Sequence, residues 1–166
     1  MSFLSFGYSY GDPYTRPNLQ QLQESFVVNH GSIYSMLSDK FSIFKAVIDK
    51  SVLYRDVLNR IELPITLFVP PDEFLPDSVK KSLLRLDRAD ATSLLSYHTS
   101  NGALELLDGH TIGTRHYSIL LSRIGNMLIL PNRESEQQIA LLSEGNRFKN
   151  GIVYVIDQPI IQGAQL

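Results

Sequence analysis

The first half of the chain repeats apolar residues at helical spacing. Phe41, Phe44, Val47 and Ile48 recur three and four residues apart, which places them on one face of a helix. Ser32 fits the N-cap of a shorter helix before them. The same spacing predicts further helices with these apolar positions: Val52, Leu53, Val57 and Leu58; Val79, Leu83, Leu84 and Leu86; Leu94, Leu95 and Tyr97. The predicted caps are Asp72 for a short turn, Asp77 or Ser78, and Asp87 or Asp90.

The second half changes to the spacing of β-strands. Ile65–Val69 is already a compact run of branched and aromatic residues, which predicts a central strand that Pro70-Pro71 must end. After His98, short strands are predicted at 103–107, 111–114, 117–122, 127–130, 138–143 and 152–156, separated by turns rich in Asn and Gly. Helices followed by strands predict an α+β fold rather than alternating βαβ units.

The first 31 residues differ from the rest. Phe6, Tyr8 and Tyr10 alternate with Ser and Gly, and Pro13 and Pro17 follow. This density of breakers predicts a flexible arm over residues 1–31, a single domain over 32–161 and a tail over 162–166. Exposed aromatic side chains are costly, so a second possibility is that Phe6, Tyr8 and Tyr10 contact a partner or build a homo-oligomer.

Composition narrows the possible partners. The chain has 166 residues, of which 43% are hydrophobic and 19% charged, as expected for a globular domain. A net charge of −2 argues against nucleic acid and anionic membranes as partners. The absence of cysteine excludes disulfides and thiolate metal sites. The N-terminus lacks the charge and apolar run of a secretory signal, and no apolar stretch is long enough for a transmembrane segment.

Three ordered segments carry a resemblance to a known family. They are 66–75, the Leu-Leu-Ser-Tyr-His run at 94–98, and Asn-Gly-Ile-Val-Tyr-Val-Ile-Asp at 150–157. In this order they resemble the signature of fasciclin-like (FAS1) domains, over about residues 32–161. The positions that match are Thr66, Phe68, Pro70, Asp72, Tyr97, His98, Asn150, Gly151 and Asp157. Val69, Pro71 and Tyr154 depart from the pattern, which usually has alanine, threonine and histidine there.

The resemblance implies a fold and a class of function. The FAS1-like fold packs a helical layer on a wedge of short strands, and its members mediate adhesion at cell, matrix or cell-wall surfaces through protein or carbohydrate contacts. An extracellular, cell-surface or virion-associated location is therefore expected, while the lack of a secretory signal leaves a cytoplasmic location open. In some members the region matching Leu94, Tyr97 and His98 is treated as adhesive, so these residues are possible partner contacts. The favoured alternative is structural, with His98 linking its helix to the corner between Thr66 and Asp72 and Asp157 serving as a turn or cap residue.

Motifs for catalysis are lacking. Asp72 and Glu73 are adjacent, so their side chains diverge on a helix and form no natural acid–base pair. The four histidines lack the spacing of a helix-borne zinc site, and no cofactor is implied. The predicted function is thus non-enzymatic adhesion or protein–protein interaction. Two alternatives stay open: a virion or envelope subunit assembled through the arm, and a small-ligand binder or hydrolase in which His98 and Asp72 converge in a pocket.

Overall fold

The helices of the first half follow the predicted periodicity. The structure is a computed structural model that describes residues 26–115, 119–130 and 137–161. In these residues the helices are α1 (Ile33–Met36), α2 (Ser42–Lys50), α3 (Val52–Asn59), α4 (Asp77–Arg85) and α5 (Arg88–Tyr97). Short 3-10 turns occupy Asp39–Phe41 and Asp72–Phe74.

Two of the predicted helix caps are correct. The Ser32 hydroxyl accepts a hydrogen bond from Ser35 N at the start of α1, and the Asp87 carboxylate accepts one from Asp90 N at the start of α5. Asp77 instead lies inside the first turn of α4, after Pro76, and its negative charge favours the helix dipole there. Asp72, predicted to cap its own turn, belongs to the 3-10 helix and caps another element, as described below.

The apolar face of α3 differs from the prediction. Val52 and Leu53 are exposed, whereas Tyr54 and Leu58 are fully buried. Ser51 caps this helix through Tyr54 N and so determines where the first turn begins. Tyr54 and Leu58, four residues apart, therefore share the face that meets the core. Leu84 in α4 is likewise exposed, while its neighbour Leu83 is buried.

The strands form two four-stranded sheets. They are β1 (Ile65–Val69), β2 (Thr99–Asn101), β3 (Thr111–Gly113), β4 (Leu120–Ile124), β5 (Met127–Leu130), β6 (Gln137–Ala140), β7 (Asn146–Phe148) and β8 (Gly151–Val155). The first sheet has the order β2-β1-β8-β7 and the second β3-β4-β5-β6. The β1–β8 pair is parallel and the other pairs are antiparallel.

The predicted strand at 103–107 is wrong. This segment belongs to no ladder, and side chains bind its backbone instead. Thr66 Oγ1 accepts a hydrogen bond from Leu104 N, and the Tyr154 hydroxyl accepts one from Leu106 N. Because the backbone groups are satisfied in this way, the segment can lie over the first sheet without pairing with a strand.

The layers are packed in the order helices, first sheet, second sheet. Ile65, Leu67 and Val69 of β1 join the helical core, while Phe68 joins the core between the two sheets. β1 is therefore buried on both faces, which explains its continuous apolar sequence. The predicted α+β architecture is confirmed: a helical layer packs on short strands.

Residues before position 32 also pack on the domain. The Phe26 ring lies edge-on to Tyr34 with centroids 5.4 Å apart. Asn29 Nδ2 donates to Asn59 O, and Asn29 N donates to Asn59 Oδ1. These contacts make residues 26–31 part of the folded unit, although the sequence indicated an arm up to residue 31. In the described part of the chain, no helix combines the length and apolar character needed to cross a membrane.

Candidate functional site

Thr66 is buried at the edge of the first matching segment. Its hydroxyl donates to Gly102 O over 2.7 Å and accepts from Leu104 N over 2.9 Å. Both bonds hold the chain that leaves β2. Two positions further along, the Phe68 ring stacks on Tyr154 with centroids 5.4 Å apart, and Pro70 ends the strand in a buried position. Thr66 therefore binds the segment after β2, and Phe68 packs against β8, both next to β1.

Asp72 caps the helix α2. Its carboxylate accepts hydrogen bonds from Ile43 N over 2.9 Å and from the Ser42 hydroxyl. Amide groups at a helix N-terminus lack partners within the helix, and negative charge there is favourable. Asp72 therefore joins the Pro70-Pro71 corner to the helical layer, and both of its carboxylate oxygens are occupied in doing so.

His98 is completely buried and uses both ring nitrogens. Nδ1 lies 2.8 Å from Leu94 O, and Nε2 accepts a hydrogen bond from Ile160 N over 2.8 Å. Because Leu94 O can only accept, the proton lies on Nδ1. Burial lowers the pKa of His98 from 6.5 to about 4, and the Leu94 carbonyl acts in the opposite direction. The imidazole is consequently neutral at physiological pH.

The partners of His98 correct two of the hypotheses. Its side chain joins α5 to the segment after β8, through Ile160, and not to the corner between Thr66 and Asp72; only its backbone carbonyl reaches β1, accepting from Phe68 N. Since Asp72 binds α2 and His98 binds Ile160, the two side chains do not converge in a pocket. A hydrolase or ligand site built on this pair therefore has no geometric support.

Leu94 and Tyr97 lie on the same helix. Leu94 is buried in the helical core, and Tyr97 is half-buried between the two cores. Leu94 and His98 are closed to a partner in this conformation, which contradicts their prediction as direct contacts; of the three, Tyr97 keeps some exposure. The predicted contacts Phe6, Tyr8 and Tyr10 lie outside the described residues.

Asn150 and Gly151 connect the two halves of the domain. Asn150 Oδ1 accepts from Ile33 N over 2.8 Å, and Nδ2 donates to Leu58 O over 2.9 Å. A Cβ atom on Gly151 would lie 1.7 Å from Ile65 O, so no other residue fits against β1 at this position. The Asn-Gly pair thus opens β8, as predicted, and also fixes two helix ends that the sequence did not indicate.

Asp157 follows β8 and binds the second sheet. Its Oδ1 accepts from Ala140 N over 2.9 Å, and its own N–H donates to Ala140 O over 3.1 Å. The bond to Ala140 joins the chain after β8 to the edge strand β6. Asp157 therefore positions β6 as well as the bend before Pro159.

A family model described as the Fasciclin domain matches residues 39–162, most of the chain. The chain belongs to the fasciclin domain family. Among solved structures, a FAS1 domain pair from the insect cell adhesion molecule fasciclin I is similar, with a TM-score of 0.63 and 19% identity. The match covers 82% of this chain and 53% of that one, so this chain spans about half its length. At this identity the likeness shows the fold alone. The comparison with curated proteins finds no match.

Membership sets the general class of function. Fasciclin domains are associated with adhesion and protein interaction, are generally non-enzymatic, and commonly occur in extracellular or surface proteins. In this fasciclin domain the matching side chains that carry hydrogen-bonding groups, apart from Tyr97, bind backbone groups of the fold itself. These residues therefore stabilise the fold, and a binding surface has to be sought among other residues.

Arg123 and Tyr154 are structural residues that the sequence reading missed. Arg123 Nη1 donates to Leu106 O over 2.7 Å, and its guanidinium pairs with both oxygens of Glu144. The Glu144 carboxylate raises the pKa of Arg123 further above its usual value. No local signal marked Arg123, because the apolar residues of β4 fall on both sides of the strand and do not show that Arg123 faces the core. Tyr154 stands where the family often has histidine, and its hydroxyl binds Leu104 O and Leu106 N.

A small cleft lies beside these two residues. It has a volume of about 210 Å³ and is lined by Glu105, Leu106, Leu107, Glu144, Gly145, Arg147, Ile152 and Tyr154. Arg147 pairs with Glu105 over 2.9 Å, and Glu144 pairs with Arg123 over 2.7 Å. The charged side chains of the cleft are thus paired, and the Tyr154 hydroxyl is occupied.

The outer face of the second sheet is a candidate binding surface, because it exposes apolar side chains. Leu121, Leu128, Leu130 and Ile139 point into the core between the sheets, so the alternate residues point outward. The described outward positions, in register, are Ile124, Met127 and Ala140, then Thr111, Ser122, Ile129 and Gln138, with Leu120 beside Gly113. These residues include no charge, and the side chains of Leu120 and Ile124 are 49% and 62% exposed.

Proposed function

We propose that this fasciclin domain is a non-enzymatic adhesion module that binds protein through the outer face of its second sheet, at a cell, matrix or particle surface. The exposed, charge-free apolar face carries the proposal. An antiparallel sheet with one face on the core usually turns polar residues to solvent on the other, and this one turns Leu120, Ile124, Met127 and Ile129 outward. Extended apolar patches of this kind mark interaction sites.

The chemistry of the face fits a second copy of the chain as partner. Two identical surfaces that meet about a two-fold axis bring like residues close together, and charges there would repel. The described outward residues carry no charge, so face-to-face pairing meets no such penalty. Carbohydrate binding is the further possibility, for which Thr111, Ser122 and Gln138 would supply hydrogen bonds.

A non-enzymatic role agrees with the occupied side chains. Neither nitrogen of His98 is free, and the Asp72 carboxylate is engaged at the start of α2. Turnover of small esters that is abolished by Asp72→Asn, in a variant that remains folded, would contradict this part of the proposal.

Bead aggregation tests the proposal. Microspheres coated with the full chain should aggregate with one another and should not bind albumin-coated microspheres. Ile124→Lys should abolish aggregation, because it places charges within the pairing face, opposite Met127 where β4 ends. The matched control is Leu53→Lys, which changes a residue of similar exposure, 53%, on the helical layer. Equal aggregation by the two variants would overturn the assignment of the face.

Glycan-coated microspheres provide the second arm of the assay. Capture of the chain by glycan-coated microspheres, without aggregation of chain-coated microspheres, would favour a carbohydrate partner.

A role as a virion or envelope subunit stays a prediction, and the solution mass distinguishes it from pairing. Isologous pairing stops at a dimer, whereas an envelope lattice continues to grow.

A further inference from the structure

Basic side chains are concentrated where α4 ends and α5 begins. Lys81 and Arg85 are exposed on α4, and Arg88, the first residue of α5, is exposed as well. Lys81 and Arg85 are four residues apart, so they lie on the same side of the helix, about 6 Å apart along its axis. These three exposed side chains form a basic patch, beside the half-buried Lys80.

Lys50 brings a further positive charge to the basic patch. It is the last residue of α2, and its Nζ donates to Leu84 O and, over 2.6 Å, to Leu86 O. A cation is favoured at this C-terminal end of α4, because the last carbonyl groups of a helix carry partial negative charge. The ammonium group of Lys50 therefore lies beside the short piece of chain that joins Arg85 to Arg88.

The positive charges of the basic patch are free to meet an outside anion. In the described part of the chain, Lys81, Arg85 and Arg88 form no ion pair. The acidic residues of the same stretch lie at the starts of the two helices, where the helix dipole favours negative charge: Asp77, Asp87 and Asp90. The basic patch thus presents its charge to solvent.

A sulfated polysaccharide matches the chemistry of the basic patch. The guanidinium groups of Arg85 and Arg88 can each donate two parallel hydrogen bonds to a sulfate or carboxylate group, and Lys81 supplies a point charge beside them. The chain as a whole has a net charge of −2, so the surface outside the basic patch is acidic on balance. A polyanion is therefore attracted to this patch and repelled by the rest of the surface.

A membrane surface matches the basic patch less well. A helix that binds at a membrane interface needs a continuous apolar face in addition to its basic residues. The apolar side of α4 is directed into the core through the buried Leu83. Leu84, which is 46% exposed, is the large apolar side chain that α4 turns outward, and it offers little area for insertion.

We propose that Lys81, Arg85 and Arg88 form a binding site for a sulfated polysaccharide. The site lies on the helical layer, whereas the proposed protein-binding face lies on the second sheet, with the first sheet between them. Both surfaces can be occupied at once, so the domain would connect a polysaccharide to a protein. This site goes beyond the function proposed above and does not depend on it.

Binding to immobilised heparin tests the site. The full chain should bind at low ionic strength, and added NaCl should weaken the binding, as expected for exposed charges. Changing Lys81, Arg85 and Arg88 together to Gln should weaken binding about tenfold or more. The changed residues are exposed and Lys50 stays in place, so the circular dichroism spectrum should be unchanged.

The matched control removes the same number of positive charges at other exposed positions: Lys40→Gln, Arg60→Gln and Lys149→Gln. It should bind heparin as the unaltered chain does. Equal losses in the two triple variants would show that the net charge decides binding and would overturn the proposal. An unaltered chain that does not bind heparin, or that binds neutral dextran equally well, would overturn it too.

Phospholipid vesicles and the sheet variant separate the remaining outcomes. Tighter binding to vesicles of phosphatidylcholine and phosphatidylserine than to heparin would assign the basic patch to a membrane surface and overturn the proposal. Ile124→Lys should retain heparin binding, because it leaves the helical layer unchanged. Failure of the bead assay and failure of the polysaccharide site are therefore distinguishable.

Discussion

The buried His98 should make the stability of this domain fall sharply in mild acid. Its pKa is about 4 in the folded protein against 6.5 for a free imidazole, because burial excludes the charged form. Between these two values the unfolded chain binds a proton that the folded chain excludes, so stability decreases as the pH falls from 6.5 towards 4. At 1.36 kcal/mol per pKa unit the full loss is about 3 kcal/mol. Protonation would also direct an Nε2–H at the N–H of Ile160, replacing a bond with a clash of donors.

Urea unfolding at several pH values between 7.5 and 4.5 measures this loss. His98→Gln keeps an acceptor for Ile160 N and removes the titration, so its stability should change less with pH than that of the unaltered chain. The difference in the free energy of unfolding between the unaltered chain and His98→Gln should shrink by most of the predicted loss, about 3 kcal/mol at full protonation, as the pH falls to 4.5. His30→Gln is the matched control, since it makes the same substitution at an exposed position outside the core.

Parallel pH profiles for His98→Gln and the unaltered chain would refute this reasoning. Should His98→Gln fail to fold, the ¹⁵N signals of the imidazole in the unaltered chain give the same information. They should report the neutral Nδ1–H form down to about pH 4. An imidazole that becomes charged near pH 6.5 in the folded protein would show that burial does not lower its pKa.

Three further changes test the contacts that hold the domain together and the role of the arm. Asn150→Ala leaves two buried backbone groups without partners and should reduce the free energy of unfolding by about 2–6 kcal/mol in urea melts. The control Asn146→Ala, at an exposed position, should change the free energy of unfolding by no more than about 0.5 kcal/mol. Similar losses in the two variants would contradict the role of Asn150. Gly151→Ala places a methyl against Ile65 O and should yield no folded protein by circular dichroism; a stable variant would contradict the close approach. A chain that begins at Phe26 should still dimerise in light scattering, because the described residues of the proposed pairing face lie between positions 111 and 140. An oligomeric full chain with a monomeric truncation would make the arm an assembly element.

The sequence indicated the centre of the fold better than its edges. β1 is a continuous apolar run because both of its faces are buried, and this pattern was recognisable without a structure. The edge strands Thr99–Asn101 and Asn146–Phe148 consist mostly of polar residues beside predicted turns, so no periodicity marked them. In 103–107 the apolar residues suggested a strand, yet Thr66 and Tyr154 satisfy that backbone from the side.

The proposed binding surface was hidden for a different reason. In β4 the apolar residues Leu120 and Ile124 face solvent, while Arg123 faces the core and is held by Glu144. A strand with apolar residues on both sides does not reveal which side is inward. The side-chain partner of His98 lies in the segment after β8, and such distant pairs have no local signature.

Adhesion by the full chain is the measurement that tests the account most directly. Microspheres coated with it should aggregate, and Ile124→Lys should abolish the aggregation, with Leu53→Lys neutral. Aggregation that survives Ile124→Lys in the folded protein would show that the outer face of the second sheet is not the surface through which this fasciclin domain binds.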